Sequence, residues 1–210
     1  MPSKNLIKFY IANSIYHIYN RGVEKRIIFE DDQDYNVFLS YIKEYLSPQG
    51  VTLRYRGLQG KYHGEITLLA FCLMPNHLHL LIKQTDKNSI KKFTQSLFTR
   101  YSMYFNKKHK RIGGLFQSTY KATNVIDTEH LLYISKYIHR NPSKITKDLT
   151  RKYSSYSDYL GSTNTAWINK EIILDEFGKS SYMKHNKIHT YKQFVEEYKK
   201  DMPEYEFEQQ

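Results

Sequence analysis

Cysteine is nearly absent from this chain: among 210 residues there is one, Cys72. A single thiol excludes an internal disulfide framework and a metal cage built only of cysteines, and it fits a reducing cytoplasm. No run approaches the ~20 apolar residues that a membrane-spanning helix needs, and the opening stretch MPSKNLIKFY lacks the apolar core of a secretion signal. Internal repeats and low-complexity linkers are missing too. The expectation is a soluble intracellular protein of one domain, or one domain with a small appendage, long enough to bury a core. Acid is scarce relative to base: 32 Lys and Arg against 21 Asp and Glu leave a formal charge of +11. Such a surplus points first to a polyanionic partner, with an anionic membrane surface and plain solubility as competing readings. It is unevenly spread. Between Lys83 and Arg111 nine basic residues stand against one acid, Asp86, whereas the tail after Pro203 is acidic.

Hydrophobic spacing supplies the elements. NSIYHIYNRG, rich in β-branched and aromatic residues and stopped at Gly22, reads as a strand. DDQDYNVFLSYIKEYL has acids at its start and apolar residues at Tyr35, Phe38, Leu39, Ile42, Tyr45 and Leu46, a helical pattern ended by Pro48 and Gly50. VTLRYRGLQ and GEITLLAFCLM read as further strands, and after the turn signal Pro75-Asn76 the chain returns as HLHLLIKQ. SIKKFTQSLFTRYSMYFNKKHK puts Ile90, Phe93, Leu97, Tyr101, Tyr104 and Phe105 on one face, a second amphipathic helix. STYKATNVI is a strand, and TEHLLYISKYIHRNP a third helix with Thr128 as N-cap and Pro142 as stop. Short helices crossing between strands of a mostly antiparallel sheet predict an α+β, ferredoxin-like or RRM-like two-layer sandwich with its helices on one face. The spacing places this domain at residues 1–145. Residues 146–210, with KEIILDEFG and TYKQFVEEYKK, read as a small, mostly helical C-terminal extension of unassigned role.

The two histidines of PNHLHLLIKQ carry chemical interest. Side chains alternate along a strand, so His77 and His79 share one face and Leu78, Leu80 and Ile82 the other. Same-face neighbours lie about 6–7 Å apart, close enough for two imidazole nitrogens to meet one cation. The alternative is two polar residues on a half-exposed face. Zinc hydrolases of the amidohydrolase kind also carry His-x-His on a strand, but on eight-stranded barrels of ~250 residues, which this element order does not match. A third ligand could come from the third helix. There His130, Tyr133, Tyr137 and Asn141 form one stripe beside the apolar stripe of Leu131, Ile134 and Ile138. Tyr137 and Asn141, four apart, point the same way, though with 20 tyrosines in the chain a helical tyrosine is ordinarily packing, and the spacing by itself does not single out Tyr137.

Taken together these stretches are recognisable. MPNHLHLLI resembles the His-hydrophobic-His motif of the HUH nucleases. With YHIYNRG, FTRYSMYFNKKHKRIGGLFQSTYKA, YISKYIHRNP and YSSYSDYLG, it resembles the single-tyrosine transposases of the IS-two-hundred-like superfamily, particularly REP-associated tyrosine transposases, over roughly Ser14 to Gly161. The Gly-Thr-Trp signature near the N-terminus of many REP-associated members is absent, with YHIYNRG in its place. The resemblance implies the HUH nuclease fold. It also implies that His77 and His79 bind a divalent metal, magnesium or manganese (Mg2+, Mn2+), that Asn141 completes the metal shell, and that Tyr137 is the nucleophile. By ligand softness alone, zinc, nickel or cobalt would suit the same set.

The implied reaction is attack of the Tyr137 phenol on a phosphodiester of single-stranded or hairpin DNA, leaving a 5′-phosphotyrosine and a free 3′ hydroxyl. A phenol with pKa near ~10 is a weak nucleophile at neutral pH, so a nearby cation is needed. Candidates for DNA contact are Lys91, Lys92, Arg100, Lys107, Lys108 and Arg111 on the basic helix, together with Gln117, Lys121 and Arg140. The expected setting is a prokaryotic cytoplasm, at the nucleoid, as a monomer or homodimer. A domesticated, non-catalytic DNA-binding protein and another HUH enzyme, a replication initiator or relaxase, are the competing readings.

Overall fold

In a computed structural model, residues 10–48, 59–150 and 153–197 are described. Four strands, β1 (Ile15–Arg21), β2 (Ile66–Met74), β3 (His77–Gln84) and β4 (Lys121–Asn124), form one antiparallel sheet in the order β2-β3-β1-β4. Helix α1 (Asp32–Leu46) crosses from β1 to β2 and α2 (Ser89–Lys108) from β3 to β4. This is the predicted ferredoxin-like α+β arrangement. The predicted strand VTLRYRGLQ falls on residues 51–59, of which 51–58 lie outside the described residues.

On one face of the sheet, Leu78, Leu80 and Ile82 from β3 and Tyr16 and Ile18 from β1 meet the apolar stripes of α1 and α2, among them Phe38, Ile42, Phe93, Leu97, Tyr101 and Phe105. The two helices are also joined by charge. Asp34 is fully buried in the first turn of α1, where its carboxylate accepts from Lys108 Nζ (2.8 Å), His109 Nε2 (3.0 Å), Tyr104 OH (3.1 Å) and the Glu30 amide (2.9 Å). Burial opposes its ionisation, yet the bonds from Lys108, Glu30 and His109 prevail and hold its pKa below the ordinary 3.8. A carboxyl depressed in this way contributes stability above its unfolded pKa and loses it as pH falls through the folded one. Asp34→Ala is therefore expected to cost about 2–4 kcal/mol at pH 7. In denaturant titrations the gap from the parent should narrow below about pH 4; a gap that stays constant down to pH 3 would refute this role.

The spacing predicts helices on one face of the sheet. Instead α3 (Thr128–Arg140), α4 (Tyr156–Tyr159), α5 (Glu171–Lys179), α6 (Ser181–His185) and α7 (Tyr191–Glu196) lie on that side, so helices cover both faces rather than one. The reason is in β2: ITLLAFCLM is an unbroken apolar run, and a strand apolar on both sides needs two covers. Alternation sends Phe71 and Leu73 to the α1–α2 side and Ala70, Cys72 and Met74 to the other, with a register shift at Leu68–Ala70. Leu131, Ile134 and Ile138 of α3 pack with Ala70, Cys72 and Leu81, and Tyr156, Phe177, Tyr191 and Phe194 continue that core. The cap of α3 is Asp127, whose carboxylate accepts from the His130 amide (2.7 Å), one residue before the predicted Thr128. An ionised carboxylate at the positive helix end outcompetes the neighbouring hydroxyl.

Buried polar bonds fix α3 more tightly than apolar contact would. His139, fully buried, meets the Tyr191 hydroxyl (2.7 Å) and Ser155 Oγ (2.8 Å). Ser155 Oγ also accepts from the Phe71 amide of β2 (2.9 Å), and Tyr191 donates back to Ser135 Oγ (3.1 Å). The helix is thereby pinned to the sheet and to α7 at once, which fixes its axial register. Among the described residues no helix is long and apolar enough to cross a membrane.

Candidate active site

Where α3 crosses the sheet its last turn stands over the start of β3. Alternation along β3 turns His77 and His79 toward α3, as the sequence pattern requires, while Leu78 and Leu80 go to the α1–α2 side. The helix then delivers two side chains one turn apart. Tyr137 sets its ring edge-on to His79, with centroids 5.4 Å apart. Asn141, buried at the helix C-cap, reaches both imidazoles: Oδ1 is 3.0 Å from His77 Nε2 and Nδ2 is 3.3 Å from His79 Nε2.

The hydrogen bonds fix which ring nitrogens are free. Asn76 Nδ2 donates to the Lys25 carbonyl (3.3 Å), turning its own Oδ1 to His77 Nδ1 at 2.6 Å. A carbonyl oxygen only accepts, so Nδ1 carries the proton and His77 Nε2 presents a lone pair. That lone pair faces Asn141 Oδ1, acceptor against acceptor. At His79, Nε2 accepts from the Asn141 amide, so Nδ1–H donates to His17 Nε2 at 2.9 Å. Two Nε2 lone pairs and an amide oxygen thus converge, a donor set that a cation satisfies better than the three groups satisfy one another. Burial keeps the rings neutral. It pulls His77 down to about 4, against the opposing Asn141 contact, with Arg21 and Lys144 adding to the fall. At His79 burial, then His17 and His77, lowers the pKa well below the ordinary value. The residues therefore fit a divalent metal held by His77, His79 and Asn141, with no carboxylate to neutralise it. Among the described residues no group of three His, Cys, Asp or Glu offers a rival cage.

The Tyr137 phenol is pushed above its ordinary pKa, first by burial and then by Tyr133 and Tyr19, while a hydrogen bond with Asn141 works the other way. It lines a cleft of about 480 Å³ that also exposes Tyr133, Arg140, Asn141 and Lys144. Two site residues were not singled out in the sequence: His17, behind His79, and Tyr19, whose ring stacks on His17 with centroids 5.1 Å apart. Alternation in YHIYNRG would have put them on one face, but nothing local says that β1 lies beside β3.

The expected DNA-contacting residues divide. Arg140 borders the cleft, Lys121 on β4 sits 5.8 Å from the Tyr19 ring, and Gln117, its side chain exposed, donates its amide to the carbonyl of Arg21, opposite His77 in the ladder. Arg140 and Lys121 are on the histidine side, and Gln117 is tied through its backbone to the end of β1. Lys91, Lys92, Arg100, Lys107 and Lys108 belong to α2, across the sheet. Arg100 is paired with Glu44 (2.9 Å) and lies over Tyr41, and Lys108 is paired with Asp31 and Asp34. Arg111 bonds Asn106 Oδ1 (2.9 Å), and Lys91, Lys92 and Lys107 are exposed.

The family model described as Transposase IS200 like matches residues 10–141. Among solved structures, the fold is similar to that of a REP-associated tyrosine transposase bound to a REP hairpin. That similarity has a TM-score of 0.54 at 12% identity and covers 80% of this chain and 98% of the other. A putative transposase from Deinococcus radiodurans matches with a TM-score of 0.40 at 16% identity, over 67% of this chain and 97% of the other. No curated protein matches the chain.

Proposed function

The chain belongs to the IS200-like transposase family, and on that premise we propose that it is a metal-dependent enzyme that cuts and rejoins single-stranded, hairpin-bearing DNA through a covalent bond to Tyr137. The observation that carries this reading is the meeting, within one chain, of His77 Nε2, His79 Nε2 and the Asn141 amide beneath the Tyr137 ring.

His77, His79 and Asn141 would hold a magnesium or manganese ion, which would supply positive charge to the reacting phosphate. Tyr137 Oη forms a bond to phosphorus as the bond to the 3′ oxygen breaks; the phenolic proton passes to solvent, and the departing 3′ oxygen takes a proton from solvent to leave as the hydroxyl. Burial raises the phenol and so works against the phenolate that attacks, which positive charge beside the ring has to offset. Asn141 donates to His79 and fixes its orientation, and the pinning of α3 through His139 keeps Tyr137 within reach of the same phosphate. The phosphodiester energy is retained in the phosphotyrosine, so a 3′ hydroxyl can reverse the step and join strands without ATP. The reaction belongs in the cytoplasm, where a reduced Cys72 and chromosomal DNA coexist.

The test is to incubate the protein with a pool of hairpin-bearing single-stranded oligonucleotides and manganese, then search tryptic peptides by mass spectrometry. A nucleotide 5′-linked to Tyr137 is expected. DNA bound tightly but recovered uncut, with no adduct, would replace this reading with that of a non-catalytic DNA-binding protein.

His17 should matter without touching the metal. As acceptor for His79 Nδ1–H it holds the tautomer that leaves Nε2 free, so His17→Leu is expected to weaken manganese binding by about 10–100-fold in calorimetric titrations. His17→Gln, which keeps an acceptor, should recover most of that. Equal affinity in His17→Leu and parent would dismiss the tautomer argument.

A further inference from the structure

After α3 the chain does not simply stop at Pro142. Asn141–Lys144 forms a single 3₁₀ turn, with the Ile145 amide donating to the Pro142 carbonyl (2.9 Å). In a 3₁₀ helix, with three residues per turn, side chains at i and i+3 eclipse. Lys144 therefore stands directly over Asn141 and on the same side, and both line the cleft that contains Tyr137. The position is specific to this turn, since an α-helical continuation would have rotated residue 144 away by about 60°.

Its charge is not absorbed. Lys144 is exposed and makes no hydrogen bond or ion pair with the described residues, unlike Arg100 and Lys108. No acid borders the cleft; among its lining side chains the charged ones are Lys136, Arg140 and Lys144. Lys136 is buried with its ammonium 5.2 Å from the centre of the Phe194 ring, and Arg140, one residue before Asn141, is turned about 100° from it around the helix, whereas Lys144 eclipses Asn141.

We propose that Lys144 is a further catalytic residue: its ammonium contacts a non-bridging oxygen of the scissile phosphate and stabilises the charge that gathers there as Tyr137 attacks. This rests on the proposed reading of Tyr137 as nucleophile. The role is electrostatic, so no proton transfer is assigned to it. Preorganised cations of this kind act most strongly when they meet the phosphate in the transition state rather than in the bound substrate.

The test uses the full chain with manganese and the oligonucleotide that yields the Tyr137 adduct. Lys144→Ala is expected to slow single-turnover cleavage by about 10²–10³-fold, with Lys144→Arg recovering a large part and thermal melting unchanged. Replacing the scissile phosphate by a methylphosphonate removes one anionic oxygen, and on that substrate parent and Lys144→Ala should come within several-fold of each other. An equal deficit on both substrates, or a defect wholly in DNA affinity, overturns the assignment. A second measurement does not depend on cleavage. In the Tyr137→Phe background, Lys144→Ala should lower the salt slope of hairpin-DNA binding by about one, and an unchanged slope also overturns the proposal. If the parent forms no adduct while this slope does fall, the nucleophile reading fails alone; if the parent forms the adduct and Lys144→Ala cleaves as fast, the Lys144 assignment fails alone.

Discussion

Tyr137→Phe is expected to abolish the covalent adduct and to lower strand cleavage by at least about 10⁴-fold, since the bond-forming oxygen is deleted and nothing replaces it. The fold should hardly notice. The ring that packs 5.4 Å from His79 and 6.0 Å from His17 remains, and one half-buried hydroxyl is lost, a change of about 1 kcal/mol. Two other phenols stand close enough to act on the Tyr137 charge, Tyr133 one turn earlier on α3 and Tyr19 on β1. The variant therefore also tests the assignment against its neighbours. Persistent cleavage with the nucleotide moved to Tyr133 or Tyr19 would transfer the role, whereas undiminished cleavage with no protein–DNA bond at all would sink covalent catalysis. Hairpin binding by the variant should stay within a few-fold of the parent, because binding is distributed over phosphate contacts.

The second large effect is expected from the ligand set. Removing divalent ions with a chelator, or replacing His77 by Ala, should reduce cleavage by about 10²–10³-fold, the several kcal/mol of charge stabilisation that a bound cation supplies. His77 is the better probe of the pair. It is only partly buried and is bonded to Asn76, so Ala at this position leaves the core intact. His79 is fully buried against His17, and its loss would combine a chemical defect with a cavity and a stranded imidazole. Manganese should restore a chelator-treated parent but not His77→Ala at the same concentration. Full cleavage by His77→Ala in the presence of chelator would remove the metal from the mechanism and leave Tyr137 to act on a phosphate activated by lysine and arginine alone.

Several of these arguments were available before any coordinates. Period-two alternation alone put His77 and His79 on one face, and the four-residue separation of Tyr137 and Asn141 put them on one side of a helix. Turn signals and apolar spacing located the two crossing helices, and the unbroken apolar run of β2 could have warned that the sheet is covered twice. The charge surplus was legible as a number but not as a surface. Arg100 and Lys108 sit in the most basic stretch of the chain, yet Glu44, Asp31 and Asp34 hold them.

What the sequence by itself determined is periodic and local: which residues share a face, where helices start, and which side chains have the chemistry for metal and phosphate. Tertiary structure alone decided that the Tyr137 face of α3 meets the histidine face of β3, that His17 from β1 backs His79, and that one 3₁₀ turn carries Lys144 back over Asn141. The physical reason is that periodicity fixes angles about an element's own axis, whereas which two faces meet depends on apolar surfaces and buried hydrogen bonds contributed by segments far apart in the chain, from Phe71 to Tyr191.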